Sequence, residues 1–201
     1  NSSPAGIHPL ILLGIKSNSR QVAVFTDSLL EKGTPYGMPG VFRTLSADMD
    51  AQALGYFSKN YAIFRNSFIS ALKKLDARDY AADILFALAS RASCEPALKD
   101  VKELVLPNPS FAATIARQLD WLRNTLSLTL QMFHAIADSY VDNTEKKPDN
   151  EMPGLREALR NCAENVELAQ RMIESKNPRL AALAVDYIGK NHSAQHDELV
   201  S

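Results

Sequence analysis

The sequence has few residues that carry specialised chemistry: two cysteines, one tryptophan and four histidines among 201 residues. Cys94 and Cys162 are too few for a disulfide framework, and each lies in a predicted helix as a small apolar residue. Their pairing stays open, because sequence does not fix the distance between two Cα atoms. The apolar run Leu10–Ile15 is far shorter than the roughly 18 residues of a membrane span. It also lacks the basic flank of a secretory signal.

Neither sign of charge is in excess. The 22 lysines and arginines against 23 aspartates and glutamates give a formal net charge of −1. Because no surplus of cations is available to neutralise phosphates, nucleic acid is not favoured as a partner. The chain begins with Asn1, which indicates an excised domain or a processed chain of a larger protein. Its localisation is therefore not predicted.

Motifs of catalytic and cofactor chemistry are missing. The sequence has no His-Glu-x-x-His, Gly-x-Ser-x-Gly, Walker or dinucleotide-binding pattern, and no Glu-x-x-His pair of the kind found in di-metal bundles. His192 and His196 are four residues apart, a spacing that could bind a metal on a helix. A polar tail with two exposed histidines is the favoured alternative. We therefore predict no cofactor and no metal site, and we favour a protein that is not an enzyme.

Apolar residues recur at helical spacing through most of the chain. They predict an all-α helical bundle of six to eight helices, one domain over residues 1–201, with two long central helices. The first central helix is predicted from Ser46 to Leu75. The second begins at Asn108 or Ser110 and runs for about thirty residues, on the order of 45 Å.

Shorter helices are predicted around these two. One runs from about Ser19 to Lys32, and others open at His8-Pro9, Pro96 and Pro178, since proline suits a first helical turn. A stripe from Leu155 to Ile173 predicts one further helix. Its outer face places two pairs of opposite charge four residues apart: Arg160 with Glu164, and Glu167 with Arg171.

Three segments have no helical periodicity. Residues 33–40 contain five glycines and prolines, which predicts a loop. Tyr36 and Met38 are the bulky side chains of this loop and are our candidate partner-binding residues. Residues 1–17 are predicted to be a loosely ordered N-terminal segment, and residues 190–201 a frayed polar tail.

Three functions are consistent with this sequence. We favour a non-enzymatic protein–protein interaction or scaffold domain that uses Tyr36 and Met38, because helical surfaces commonly bind partner helices or peptides. The second alternative is a self-assembling structural subunit, and homo-oligomers remain open. The first alternative is a small-molecule or lipid binder, or an enzyme, with a cavity between the central helices. The polar side chains in contact with the ligand would be those of Tyr61, His134, Asp138 and Tyr140, although His134 is expected to be a partly buried structural residue.

Overall fold

Regular structure in the described part of the chain is entirely helical. The computed structural model describes five ranges: 7–32, 42–43, 50–125, 130–147 and 152–191. These ranges contain eleven α-helices and no strand, which confirms the predicted all-α class. The number exceeds the predicted six to eight because some single stripes contain two helices. The chain divides into two compact units, Asn1–Val101 and Lys102–Ser201.

The first unit begins with a helical hairpin. Its described helices are α1 (Ile7–Ser17), α2 (Arg20–Lys32), α3 (Ala51–Lys59), α4 (Tyr61–Leu72), α5 (Arg78–Arg91) and α6 (Glu95–Asp100). Helix α1 contains the predicted His8-Pro9 start, within the segment that was expected to be loosely ordered. Asn18 turns the hairpin at a φ of 48°, a left-handed conformation that asparagine tolerates. Gly14 lets α1 approach α3, since a Cβ there would lie 2.4 Å from the Tyr56 ring.

The helix predicted from Ser46 to Leu75 is two helices, and its predicted start lies outside the described residues. Asn60 separates α3 from α4, with φ −107° and ψ 21°. Its side-chain Nδ2 donates to the carbonyl of Tyr56 at 3.0 Å. Asparagine favours such local bonds over a place in a helix interior. The prediction of one continuous helix is therefore corrected at Asn60.

An aromatic cluster forms the core of the first unit. Phe57, Phe64 and Phe68 are fully buried, and the ring centroids of Phe57 and Phe64 lie 4.8 Å apart in an edge-on arrangement. Phe42 packs edge-on against Phe68 at 6.0 Å. Such pairs add to the free energy gained from burial alone. The apolar stripe of α3 and α4 is thus the main packing surface of this unit.

A hydrogen bond between a hydroxyl and a carboxylate joins α2 to α4. Ser67 is 1% exposed, and its Oγ donates to Asp27 Oδ1 at 2.6 Å. Burial raises the pKa of Asp27, the hydrogen bond from Ser67 opposes that rise, and the charge of Glu31 adds to it. The folded unit therefore disfavours the charged form of Asp27 relative to the unfolded chain.

We expect Asp27→Asn to increase the free energy of unfolding near neutral pH. The amide removes the cost of partly burying a charge, and its oxygen still accepts from Ser67. The folded pKa lies above the unfolded value of about 3.9, so wild-type stability rises as pH falls between these two values. The difference in unfolding free energy between Asp27→Asn and the wild type should decrease as pH falls through the same range. Urea unfolding at about pH 7 and about pH 4 measures this. An equal gain at both pH values, or the same gain from the exposed Asp76→Asn, would contradict a charge effect at Asp27.

The second unit is built on five described α-helices. They are α7 (Ala112–Thr125), α8 (Leu130–Lys146), α9 (Pro153–Asn161), α10 (Val166–Glu174) and α11 (Pro178–Lys190). Helices α7 and α8 cover the second predicted long helix, of which residues 126–129 lie outside the described ranges. Asn108 Oδ1 accepts from the amide of Ser110 at 3.0 Å, and Asn177 caps α11 at the predicted proline. Helix α9 packs against α7, α8 and α11.

The helix predicted from Leu155 to Ile173 is also two helices. A short 3-10 turn over Cys162–Glu164 follows α9. Asn165 then begins α10, because its Oδ1 accepts from the amides of Glu167 and Leu168 at 3.0 and 3.2 Å. An asparagine at this position satisfies two amides that the first turn of a helix leaves without partners.

This break changes the predicted ion pairs. Glu167 and Arg171 pair at 3.2 Å as predicted. Arg160 and Glu164 do not pair with each other, because the tighter 3-10 turn moves Glu164 off the face that four-residue spacing requires. Glu164 instead contacts Arg123 of α7 at 3.2 Å.

Both cysteines are buried free thiols, which answers the pairing question. Cys94 lies in the first unit and Cys162 in the second. Burial raises the pKa of Cys162 to about 12, and its Sγ lies 4.0 Å from the carbonyl oxygen of Leu119. Because the thiolate is the reactive form, burial keeps Cys162 in its less reactive thiol form, and it packs as a small apolar residue.

Candidate functional site

The first unit contains a buried ion pair between α4 and α6. Asp100 is 1% exposed. Arg65 contacts both of its carboxylate oxygens, Nε to Oδ2 at 2.8 Å and Nη2 to Oδ1 at 2.7 Å. The hydroxyl of Tyr61 donates to Oδ2 at 2.7 Å. Three hydrogen bonds therefore compensate the buried charge of Asp100.

This triad joins helices and offers little for chemistry. Burial, and then the contact with Asp100, raise the pKa of Tyr61 above its ordinary range. Its hydroxyl therefore remains a protonated donor. Tyr61 was a predicted polar point of a ligand cavity together with Tyr140, but the two residues belong to different compact units.

The second unit has an open cleft of about 850 Å³, lined by α8, α9 and α11. Helix α9 contributes residues 153, 156, 157 and 160, and α11 contributes 179, 182, 183, 186 and 190. These spacings of three and four place each set on one helical face. Tyr140 and Leu183 are its most deeply buried lining residues with bulky side chains, 5% and 7% exposed. The third buried lining residue is Thr144, so that two of the three buried side chains carry hydroxyl groups.

Cations outnumber anions along this cleft. Its charged lining consists of four cations and two anions: Arg156, Arg160, Arg179, Lys190, Glu157 and Asp186. Residues 102–201 as a whole contain 11 lysines and arginines against 14 aspartates and glutamates, a formal net charge of −3. The cleft therefore has a local excess of cations on an acidic unit, and such an excess attracts groups of the opposite sign.

An ion-pair network crosses the cleft between α9 and α11. Asp186 Oδ1 lies 2.7 Å from Lys190 Nζ, and its Oδ2 lies 3.4 Å from Arg160 Nη1. Arg160 also contacts Glu157 through Nη2. Hydrogen bonding from Lys190, and then from Arg160, lowers the pKa of Asp186. Asp186 therefore stays charged near neutral pH.

Of the three α8 residues that were predicted to line a ligand cavity, one lines the cleft and two are exposed. Tyr140 lines the cleft. His134 and Asp138 are exposed. The expectation that His134 is partly buried is wrong, because Phe133, Ile136 and Tyr140 lie on the buried face of α8 and position 134 falls at the exposed edge of that face. The His134 ring touches only the edge of that face, 5.9 Å from the centroid of Phe133.

Two predicted sites fall outside the described residues. Tyr36 and Met38 are in the segment 33–41, and His192 and His196 are in the segment 192–201. The partner-binding loop therefore stays a prediction, as does the choice between a metal pair and a polar tail.

The basic cleft was not predicted from the sequence. Arg156 and Arg160 share one face of α9, and Asp186 and Lys190 share one face of α11, which is the only signal that the sequence contains. Charges at such spacing usually lie on solvated surfaces. That the two faces meet follows from the packing of α9 against α11.

The described residues contain neither a candidate metal site nor a helix that could span a membrane. Within the described ranges, no three His, Cys, Asp or Glu side chains come together in a way that could hold a metal ion. None of the helices described above is long and apolar enough to cross a membrane. Comparison of the chain with protein-family models, with curated proteins and with solved structures finds no match.

Proposed function

We propose that this chain is a non-enzymatic interaction domain whose second unit binds an acidic segment of a partner protein in the basic cleft. The observation that carries the proposal is the lining of four cations and two anions on a unit of net negative charge. Complementary charge speeds encounter and selects among partners. Arginine supports this further, because its planar guanidinium can bind a carboxylate through two parallel bonds.

The shape of the cleft also supports a peptide as its occupant. Two helices form its walls, and α11 extends over 13 residues, or about 20 Å. Arg179 lies near the start of α11 and Lys190 at its end, so a cation occurs at each end of that wall. An extended acidic segment could contact both ends at once, whereas a single small anion could not.

A small anionic molecule is the second candidate. The volume of about 850 Å³ is within the usual range for ligand pockets, roughly 300 to 1,000 Å³. Tyr140, a predicted polar point of a ligand cavity, is one of the lining residues. We rank this candidate lower because the lining cations are spread along the helices.

Fluorescence anisotropy with a labelled glutamate-rich peptide tests the proposal. We expect saturable binding that weakens at high ionic strength, since the Debye length falls to about 3 Å at 1 M salt. The variant Arg156→Ala/Arg179→Ala removes one exposed cation from each wall. It should bind at least about fivefold more weakly.

Lys102→Ala/Lys176→Ala is the matched control. It removes the same charge from exposed positions of the second unit that do not line the cleft, and it should bind like the wild type. Equal losses in both variants would contradict a site in the cleft. No binding by the wild type would contradict the proposed function. Binding that is lost only in Tyr36→Ala/Met38→Ala would assign the interaction to the predicted loop instead.

A further inference from the structure

We infer that Asp186 occupies the cleft as an internal competitor, and that a partner carboxylate binds by replacing Asp186 at Lys190. The inference rests on the proposed function of the cleft and adds the step that limits its affinity. It makes Asp186 a determinant of binding strength although Asp186 carries the same sign of charge as the ligand.

The geometry of Asp186 carries this inference. One carboxylate serves two cations, with Oδ1 at 2.7 Å from Lys190 Nζ and Oδ2 at 3.4 Å from Arg160 Nη1. Lys190 is on the same helix four residues later, a spacing that favours the pair. An acidic ligand thus meets a lysine that already has a carboxylate partner.

Lys190 and Arg160 differ in what else holds them. Arg160 keeps a second carboxylate, because its Nη2 contacts Glu157. In the part of the chain that the structure describes, Asp186 is the one carboxylate recorded beside Lys190. Removal of the Asp186 charge would therefore release Lys190 while Arg160 stays paired. Breaking the pair between Lys190 and Asp186 costs little free energy, because their side chains are 62% and 43% exposed and exposed ion pairs are weak.

Asp186→Asn should increase the affinity for the labelled glutamate peptide about two- to fivefold, the factor expected when a ligand no longer has to break one exposed ion pair. Asparagine retains the shape of the side chain. Asp142→Asn is the matched control, since Asp142 pairs with Lys146 at 3.5 Å at the same four-residue spacing and does not line the cleft. This control should leave the affinity unchanged.

A double-mutant cycle separates competition from general repulsion. In a Lys190→Met background the exchange cannot take place, so Asp186→Asn should then give almost no gain. A gain of the same size in both backgrounds, or no gain in the wild-type background, would overturn the inference. Circular dichroism on each variant checks that the helices are retained.

The outcomes for this inference and for the proposed function are distinct. If the wild type binds and Asp186→Asn binds no better, the competitor is refuted and the interaction domain stands. If only Asp186→Asn binds, Asp186 is a strong competitor, but the proposed function of the wild-type chain is contradicted. If neither protein binds the peptide, both proposals fail.

Discussion

Replacement of Asp100 by alanine is expected to lower the free energy of unfolding of the first unit by about 2–4 kcal/mol. The change leaves the buried hydroxyl of Tyr61 without the acceptor Asp100 and removes the two hydrogen bonds between Asp100 and Arg65. Arg65 is 45% exposed, so its guanidinium can turn to water. The expected loss of stability is therefore smaller than the roughly 3–5 kcal/mol lost when one partner of a fully buried ion pair is removed.

Urea unfolding followed by circular dichroism measures this loss. Tyr61→Phe removes one of the three hydrogen bonds and should cost about 1 kcal/mol. Asp76→Ala, at an exposed turn position, should be within about 0.5 kcal/mol of the wild type. If Asp100→Ala were no less stable than Asp76→Ala, the triad would not join α4 to α6 as described.

Phe57→Ala should reduce the stability of the first unit by about 3–5 kcal/mol. Phe57 is fully buried, and its ring packs against Phe64 at 4.8 Å and Phe68 at 5.8 Å between centroids. Truncation removes apolar burial and leaves a cavity that neighbouring rings fill only in part. Thermal and urea unfolding should both shift to milder conditions.

The hairpin provides a matched control of the same chemistry. Phe25 is 55% exposed on α2, so Phe25→Ala loses little buried area and should change stability by less than about 1 kcal/mol. Similar losses for Phe25 and Phe57 would show that the aromatic cluster is not the main packing surface of the unit. A small loss for both would show the same.

Periodicity predicted the helical class, and it placed helices well where proline or asparagine marked their ends. Helix α2 lies within one residue of its predicted bounds, and α11 begins at the predicted Pro178. Asn108, one of the two predicted starts of the second long helix, caps the 3-10 turn Pro109–Phe111 that precedes α7.

The failures are at Asn60 and Asn165. At Asn60 the apolar spacing continues across the break, because α3 and α4 both bury that stripe. At Asn165 the spacing also continues, but α10 buries Leu168 and Met172 and leaves Val166 and Ile173 of the predicted stripe only partly buried. Helical spacing alone therefore does not reveal a cap within a stripe.

The basic cleft could not be predicted from the sequence for a different reason. Its cations come from α9 and α11, and each appears in sequence as an ordinary surface charge. The net charge of −1 averages over the whole chain and hides a local excess of cations. Only the packing of two helices brings these residues together. The loop at Tyr36 and Met38 was predicted from composition and stays a prediction.

The two buried thiols have a practical consequence. Each compact unit contains one cysteine, Cys94 in one and Cys162 in the other, and both are shielded from solvent. A thiol reagent can modify either one only when the surrounding helices open. The position of the label, found by peptide mass mapping, then reports which unit opened. The wild-type chain thus contains two natural probes of local opening, and no engineered label is needed to compare the dynamics of its halves.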